Sequence, residues 1–230
     1  MKSIYLKLFV IVFYFLIIGD KIQAQTAQWD STYRPPAYKL KVEQFKAFPN
    51  SSKDIIFLGN SITAGVDWTE LLGSPRMKNR GIGGDITFGV LERLDEVIEG
   101  KPAKVFILIG TNDISRNIPD DVILSNYQKM ISRIKSGSPR TKIYVHTILP
   151  TNSSFGKFKN HYNKSEHTIH INTQLKAIAK KEGITIIDLY TAFLDSQNNL
   201  EASLTHDGLH LTMAGYQKWA DILKSGKYLK

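Results

Sequence analysis

The chain has 230 residues, enough for one domain with a substantial core and too few for a second complete one. Its formal charge of +9 invites nucleic acid, anionic glycans or acidic envelope polymers as partners, yet the lysines are spread along the chain rather than massed on one helix, so a solvated basic surface accounts for them and no nucleic-acid partner is expected. With no cysteine, thiol catalysis and thiolate metal binding are excluded, and any nucleophile is an oxygen or a nitrogen.

Residues 1–24 have the layout of a signal peptide. Lys2 and Lys7 precede an apolar run from Leu8 to Ile18, and Ala24 supplies the small residue of a cleavage site. The alternative, a membrane anchor, needs about 20 apolar residues to cross hydrocarbon, and this run is shorter. The expectation is therefore cleavage near Gln25, export to the periplasm or beyond, and no stable membrane insertion afterwards. Losing Lys2, Lys7, Lys21 and Asp20 takes the formal charge from +9 to +7. Residues 25–50 read as an N-terminal arm, with Trp29, Tyr33, Pro35 and Pro36 followed by Leu40, Phe45 and Phe48 on one side of a short helix.

From residue 51 to 230 apolar runs bounded by turn residues alternate with helix-period segments, the pattern of a parallel sheet covered on both faces. Strands are predicted at Asp54–Leu58, Met77–Ile82, Lys104–Ile109, Lys142–Ile148 and Ile184–Leu189. Between them Val90, Leu94, Val97 and Ile98 share a helical face, as do Ile123, Tyr127, Met130, Ile131 and Ile134, then Ile171, Leu175 and Ile178. Tyr216, Trp219 and Leu223 mark the last helix. Pro119, Asp120 and Asp121 signal a helix start, and Gly100, Gly137 and Gly183 signal helix ends. The resulting fold class is α/β, a three-layer α/β/α sandwich with a five-stranded parallel sheet, whose ligands sit beyond the carboxyl ends of the strands.

Four short blocks carry the chemistry: Gly59-Asn60-Ser61-Ile62, Asn79-Arg80-Gly81-Ile82-Gly83-Gly84-Asp85, Gly110-Thr111-Asn112-Asp113 and Asp207-Gly208-Leu209-His210. Ser61 follows the first strand, where a strand-to-helix turn exposes a hydroxyl; a serine there also commonly just caps the helix. A hydroxyl needs a base to take its proton. Asp207 and His210, three residues apart, offer an imidazole together with a carboxylate to orient it, and His146 is the main rival base, ahead of His161, His167 and His170. Ester cleavage also needs donors aimed at the oxyanion. Gly84 lets a backbone amide approach closely, and Asn112 presents a neutral amide donor; a tight turn and an Asx-turn are the plainer readings of these two. The glycines match neither a dinucleotide fingerprint nor a P-loop.

In this order the blocks resemble the SGNH hydrolases, also called the GDSL esterase/lipase family, over nearly everything from Asp54 to Tyr216. The resemblance implies the flavodoxin-like fold of that family, Ser61 as nucleophile, Asp207 and His210 as acid and base, and an oxyanion hole of the Ser61 amide, the Gly84 amide and the Asn112 side chain. It implies no metal and no organic cofactor. The family signature Gly-Asp-Ser-Leu reads Gly59-Asn60-Ser61-Ile62 here, which keeps a side-chain acceptor and loses a charge.

For specificity the sequence offers Asn60, Trp68, Phe155 and Tyr162, the last two in an aromatic and cationic loop from Thr151 to Lys164. Such a loop suits sugars; a buried tryptophan and a solvated loop are the alternatives. Likeness to exported bacterial family members implies a serine esterase that removes a short acyl group, most plainly acetyl, from a carbohydrate or small oligosaccharide ester. The competing readings are a non-hydrolytic glycan- or envelope-binding module, a lysophospholipase or thioesterase acting on lipid, and a phosphodiesterase. Nothing in the sequence fixes the oligomeric state.

Overall fold

The computed structural model describes residues 29–230. The expected signal peptide, residues 1–24, lies outside them, as do the first residues of the arm. Five parallel strands, β1 (Ile55–Gly59), β2 (Met77–Gly81), β3 (Lys104–Leu108), β4 (Lys142–His146) and β5 (Thr185–Ile187), line up in the order β2-β1-β3-β4-β5. After β1 the chain pairs first on one side of it and then on the other, so β1 and β3 form the switch point where a crevice opens beyond the strand ends.

Every residue of β1 and β3 is buried. Alternate side chains point to opposite faces, and helices cover both. Ile56, Leu58, Val105 and Ile107 enter one core with the helices Thr87–Glu92, Leu94–Glu99, Asp120–Gly137 and Ser165–Glu182. Ile55, Phe57, Phe106 and Leu108 enter the other with Tyr216, Trp219 and Leu223 of the final helix, Met213–Ser225. Three layers follow.

Two elements depart from the sequence expectation. The helix expected through Val90–Ile98 breaks at Arg93, whose backbone leaves helical geometry (φ −97°, ψ 10°) as its side chain turns inward to Asp85. In the arm, the helix Tyr38–Ala47 buries Tyr38 and Phe45, leaving Leu40 and Phe48 exposed. Positions 38, 42 and 45 share one side at helical spacing, whereas Leu40 lies off it and Phe48 falls after the helix end. Tyr38 Oη donates to Gly89 O (2.7 Å), and Phe45 lies 4.9 Å from the Arg80 guanidinium, so the arm packs firmly on the domain.

Trp68 is not a substrate contact. Phe57, Phe106 and Tyr144 are neighbours across β1, β3 and β4, with ring centroids 5.1 and 4.5 Å apart. Trp68 extends this stack from Phe57 at 4.0 Å, donates Nε1–H to Thr63 O (2.9 Å) and is 1% exposed. Replacement by alanine removes a whole buried aromatic, so Trp68→Ala should cost about 3–5 kcal/mol in urea unfolding. KM for a small ester should not change.

Candidate active site

The site begins at the end of β1. Asn60 Oδ1 accepts the Ile62 N–H (3.0 Å) and so caps the short helix Ser61–Ala64. The cap is therefore Asn60, and the Ser61 hydroxyl is left free of that duty. Any side-chain carbonyl oxygen satisfies this cap, which explains why asparagine serves where the family signature has aspartate. At 1% exposure Asn60 is a support of the turn rather than the substrate contact expected from the sequence. Tyr216 Oη and Trp68 Nε1 hold the turn from below by donating to Ile62 O and Thr63 O.

The loop carrying Asp207 and His210 faces Ser61 from the other end of the chain. Asp207 Oδ1 accepts the N–H groups of Leu209 (2.9 Å) and His210 (2.7 Å), and Oδ2 accepts Nδ1–H of His210 (2.7 Å). The spacing of three lets one carboxylate close its own turn and orient the ring. With Nδ1 carrying the hydrogen, Nε2 accepts from Ser61 Oγ at 2.9 Å. Gly208 makes this possible: at φ +85° an added Cβ would stand 2.2 Å from Asn152 O. From outside the loop, Tyr162 Oη donates to Asp207 O (2.8 Å) and Asn152 N–H to Gly208 O (2.8 Å).

Two donors flank the serine. Neither the Ser61 nor the Gly84 amide meets a protein acceptor among the described residues. Gly84 sits at φ +78°, and a Cβ there would be 3.2 Å from Pro35 Cβ and 3.5 Å from Tyr33 Oη, so the arm closes over this glycine. Asn112 is the second residue of the helical turn Thr111–Ser115 after β3; its Nδ2 donates to Asp85 O (2.9 Å), which leaves one amide hydrogen uncommitted. Asp113 beside it accepts from the Thr87 N–H (3.0 Å) and Oγ1–H (2.5 Å), pinning this turn to the helix after Gly84.

His161, placed behind His146 on sequence grounds, is the residue the sequence reading undervalued: its Nε2 lies 3.0 Å from Asn112 Oδ1. Phe158 stands between the imidazoles, its centroid 5.8 Å from His161 and 5.2 Å from His210. Only the aromatic and cationic character of the loop pointed there. Tyr162 is 5% exposed and acts on the Asp207 loop, which corrects its reading as a substrate contact. Phe155 is half-buried in the turn Ser153–Phe155 and stacks on none of the site's rings. His146 is fully buried against Phe106 and Trp219, and desolvation pushes its imidazole down to about 3. His167 pairs with Asp120 on the surface, His170 is exposed, and His206 lies parallel to His210 at 6.1 Å.

A hydroxyl, an imidazole and a carboxylate bonded in series at the carboxyl edge of a parallel sheet can move a proton off the hydroxyl, and free amide donors beside it can hold an oxyanion. This sheet and this site define a carboxylic ester hydrolase. The chain belongs to the GDSL-like Lipase/Acylhydrolase family, whose sequence pattern matches residues 57–218. It is 28% identical over 172 residues to the Homo sapiens platelet-activating factor acetylhydrolase IB subunit alpha2, spanning 72% of either chain. The solved structure of a GDSL-like lipase from Bacteroides thetaiotaomicron VPI-5482 superposes with a TM-score of 0.72 at 25% identity, covering 82% of this chain and 96% of that one. An acetyl xylan esterase shares the fold, with a TM-score of 0.63 at 23% identity over 75% of this chain and 98% of its own.

Burial pushes the Asp207 carboxyl upward, but the His210 and Leu209 N–H groups and the His210 ring outweigh it, and the group ends below its ordinary value. A carboxylate depressed in the folded state stabilises it fully above the unfolded value and loses that contribution as pH falls through the folded one. Unfolding free energy measured by urea titration should therefore drop on acidification below the ordinary carboxylate range, and Asp207→Asn should flatten that dependence.

Proposed function

We propose that the protein is a serine esterase that removes a short acyl group, acetyl above all, from a carbohydrate or related small ester through an acyl-enzyme. The observation that carries this reading is the unbroken series from Asp207 Oδ2 through His210 to Ser61 Oγ, at 2.7 and 2.9 Å, beside the Gly84 amide and the Asn112 side chain. In the proposed cycle Ser61 Oγ attacks the ester carbonyl while His210 Nε2 takes its proton. The Ser61 and Gly84 amides and Asn112 Nδ2 hold the oxyanion. Collapse expels the alcohol, which leaves with the proton from His210. Water then attacks the acyl-serine, again deprotonated by His210, and releases the acid with Ser61 reprotonated.

Acetyl is favoured because two relatives of different substrate, the platelet-activating factor acetylhydrolase and the acetyl xylan esterase, both carry it in their names. Crowding agrees: Tyr33 and Pro35 close over Gly84, and Phe158 sets its edge on His210. A carbohydrate as the alcohol draws support from a cleft of about 520 Å³ that includes Thr151 and Asn163, next in sequence to the Asn152 and Tyr162 that brace the Asp207 loop. Its lining is hydroxyls, amides, Tyr190 and a few apolar groups, with no charged side chain, which suits a neutral polyol. The layout of residues 1–24 supports export as the proposed location.

Acetate release from acetylated xylan, other acetylated glycans and platelet-activating factor, with chromophore release from an acyl series running from acetyl to octanoyl, tests substrate and acyl length together. Acetyl esters should turn over fastest, and Ser61→Ala should abolish release while the far-UV circular dichroism spectrum stays unchanged. Undiminished release by that variant ends the proposal. Gly84→Ala, strained at its φ and pressed against Pro35, should lose about 10²- to 10³-fold in kcat, as removal of one oxyanion donor does.

A further inference from the structure

We infer that His161 is a positioning residue for the oxyanion donor: it fixes the plane of the Asn112 carboxamide so that the uncommitted hydrogen on Nδ2 is held for the reacting carbonyl. The inference rests on the acyl-transfer reading above and adds a residue to it.

An asparagine amide has one acceptor end and one donor end that exchange on a half-turn about χ2. In Asn112 both ends are committed, Oδ1 to His161 Nε2 at 3.0 Å and Nδ2 to Asp85 O at 2.9 Å. An amide oxygen only accepts, so Nε2 of His161 carries the hydrogen. Reversing the amide would set Oδ1 against the Asp85 carbonyl, which can only accept, and would require His161 to change tautomer, in a site where Asn112 is buried. Asp85 alone would hold one end of the amide. His161 holds the other end, so the carboxamide plane is fixed at both ends.

The placement of His161 is itself braced. Lys164 Nζ donates to Ile114 O (2.7 Å) in the same helical turn as Asn112, and Tyr162 Oη donates to Asp207 O (2.8 Å). Phe158 lies edge-on to both His161 and His210. One short segment thus touches the donor, the base and the loop of the acid. The charges around His161 are all positive, Lys164, Arg116 and, once protonated, His210; with desolvation leading, they push its imidazole down to about 4. A neutral ring is the suitable partner here, because a cation would oppose the imidazolium that His210 becomes during each half-reaction.

Steady-state kinetics with a chromogenic acetyl ester, on His161→Ala and His161→Gln beside Ser61→Ala, test the assignment. In His161→Ala kcat should fall by about tenfold to 100-fold, less than for loss of the donor itself, with KM unchanged. His161→Gln, which still presents an N–H to Asn112 Oδ1, should recover most of the loss and keep the pH profile of kcat/KM that the native chain shows. Native kcat in His161→Ala overturns the inference. So does His161→Gln as inactive as Ser61→Ala, which would make His161 a proton carrier. If Ser61→Ala itself retains turnover, the acyl-transfer reading falls; if it is dead while His161→Ala is native, only the role of His161 falls.

Discussion

A buried ion pair holds together three of the four pieces of this site. Arg93 Nη2 meets Asp85 Oδ2 at 3.0 Å with both side chains almost wholly excluded from water. Arg93 Nη2 also donates to Gly59 O (3.0 Å), the last residue of β1 before the Ser61 turn, while Asp85 O receives Asn112 Nδ2 and Asp85 itself follows Gly84. The serine turn, the glycine amide and the asparagine amide are thereby fixed to one another through a single pair. Desolvating two charges is costly, and removing one partner of such a pair typically costs about 3–5 kcal/mol, because the survivor is stranded. Here the return is geometric: the end of β1, the glycine turn and the start of the helical turn after β3 cannot move independently.

The fourth piece, the Asp207–His210 loop, is held differently. It meets Ser61 across 149 residues of chain by one hydrogen bond, and its own shape is local, built by a carboxylate that closes its turn and orients its histidine. The parallel sheet makes that meeting possible. Because β1 and β3 are neighbours at the point where the strand order reverses, whatever follows them is delivered to one crevice. The final helix then brings Tyr216 beneath the serine turn, so the segment that follows His210 also supports the Ser61 turn from below.

Family membership fits this division of labour. The matched region, residues 57–218, runs from β1 into the final helix and contains all four blocks, while the arm before it lies outside. The arm nonetheless borders the site, since Tyr33 and Pro35 stand over Gly84. The loop between Phe155 and Lys164, inside the matched region, adds Phe158, His161 and Tyr162 around the site.

What the sequence determined by itself is whatever depends on near neighbours. Apolar runs bounded by turn residues gave all five strands and the 3.6-residue repeat gave the long helical faces, because burial on both faces of a sheet or on one side of a helix imposes those patterns locally. The three-residue spacing of Asp207 and His210 and the glycine between them already contained the loop's geometry. Whatever depended on distant partners was decided by tertiary packing. Asn60 is a cap and Trp68 a core aromatic rather than substrate contacts, His146 is sealed behind Trp219, and His161 finds Asn112 at a separation of 49 residues. No local pattern distinguishes these fates, because a side chain's surroundings are set by which elements the sheet order brings against it.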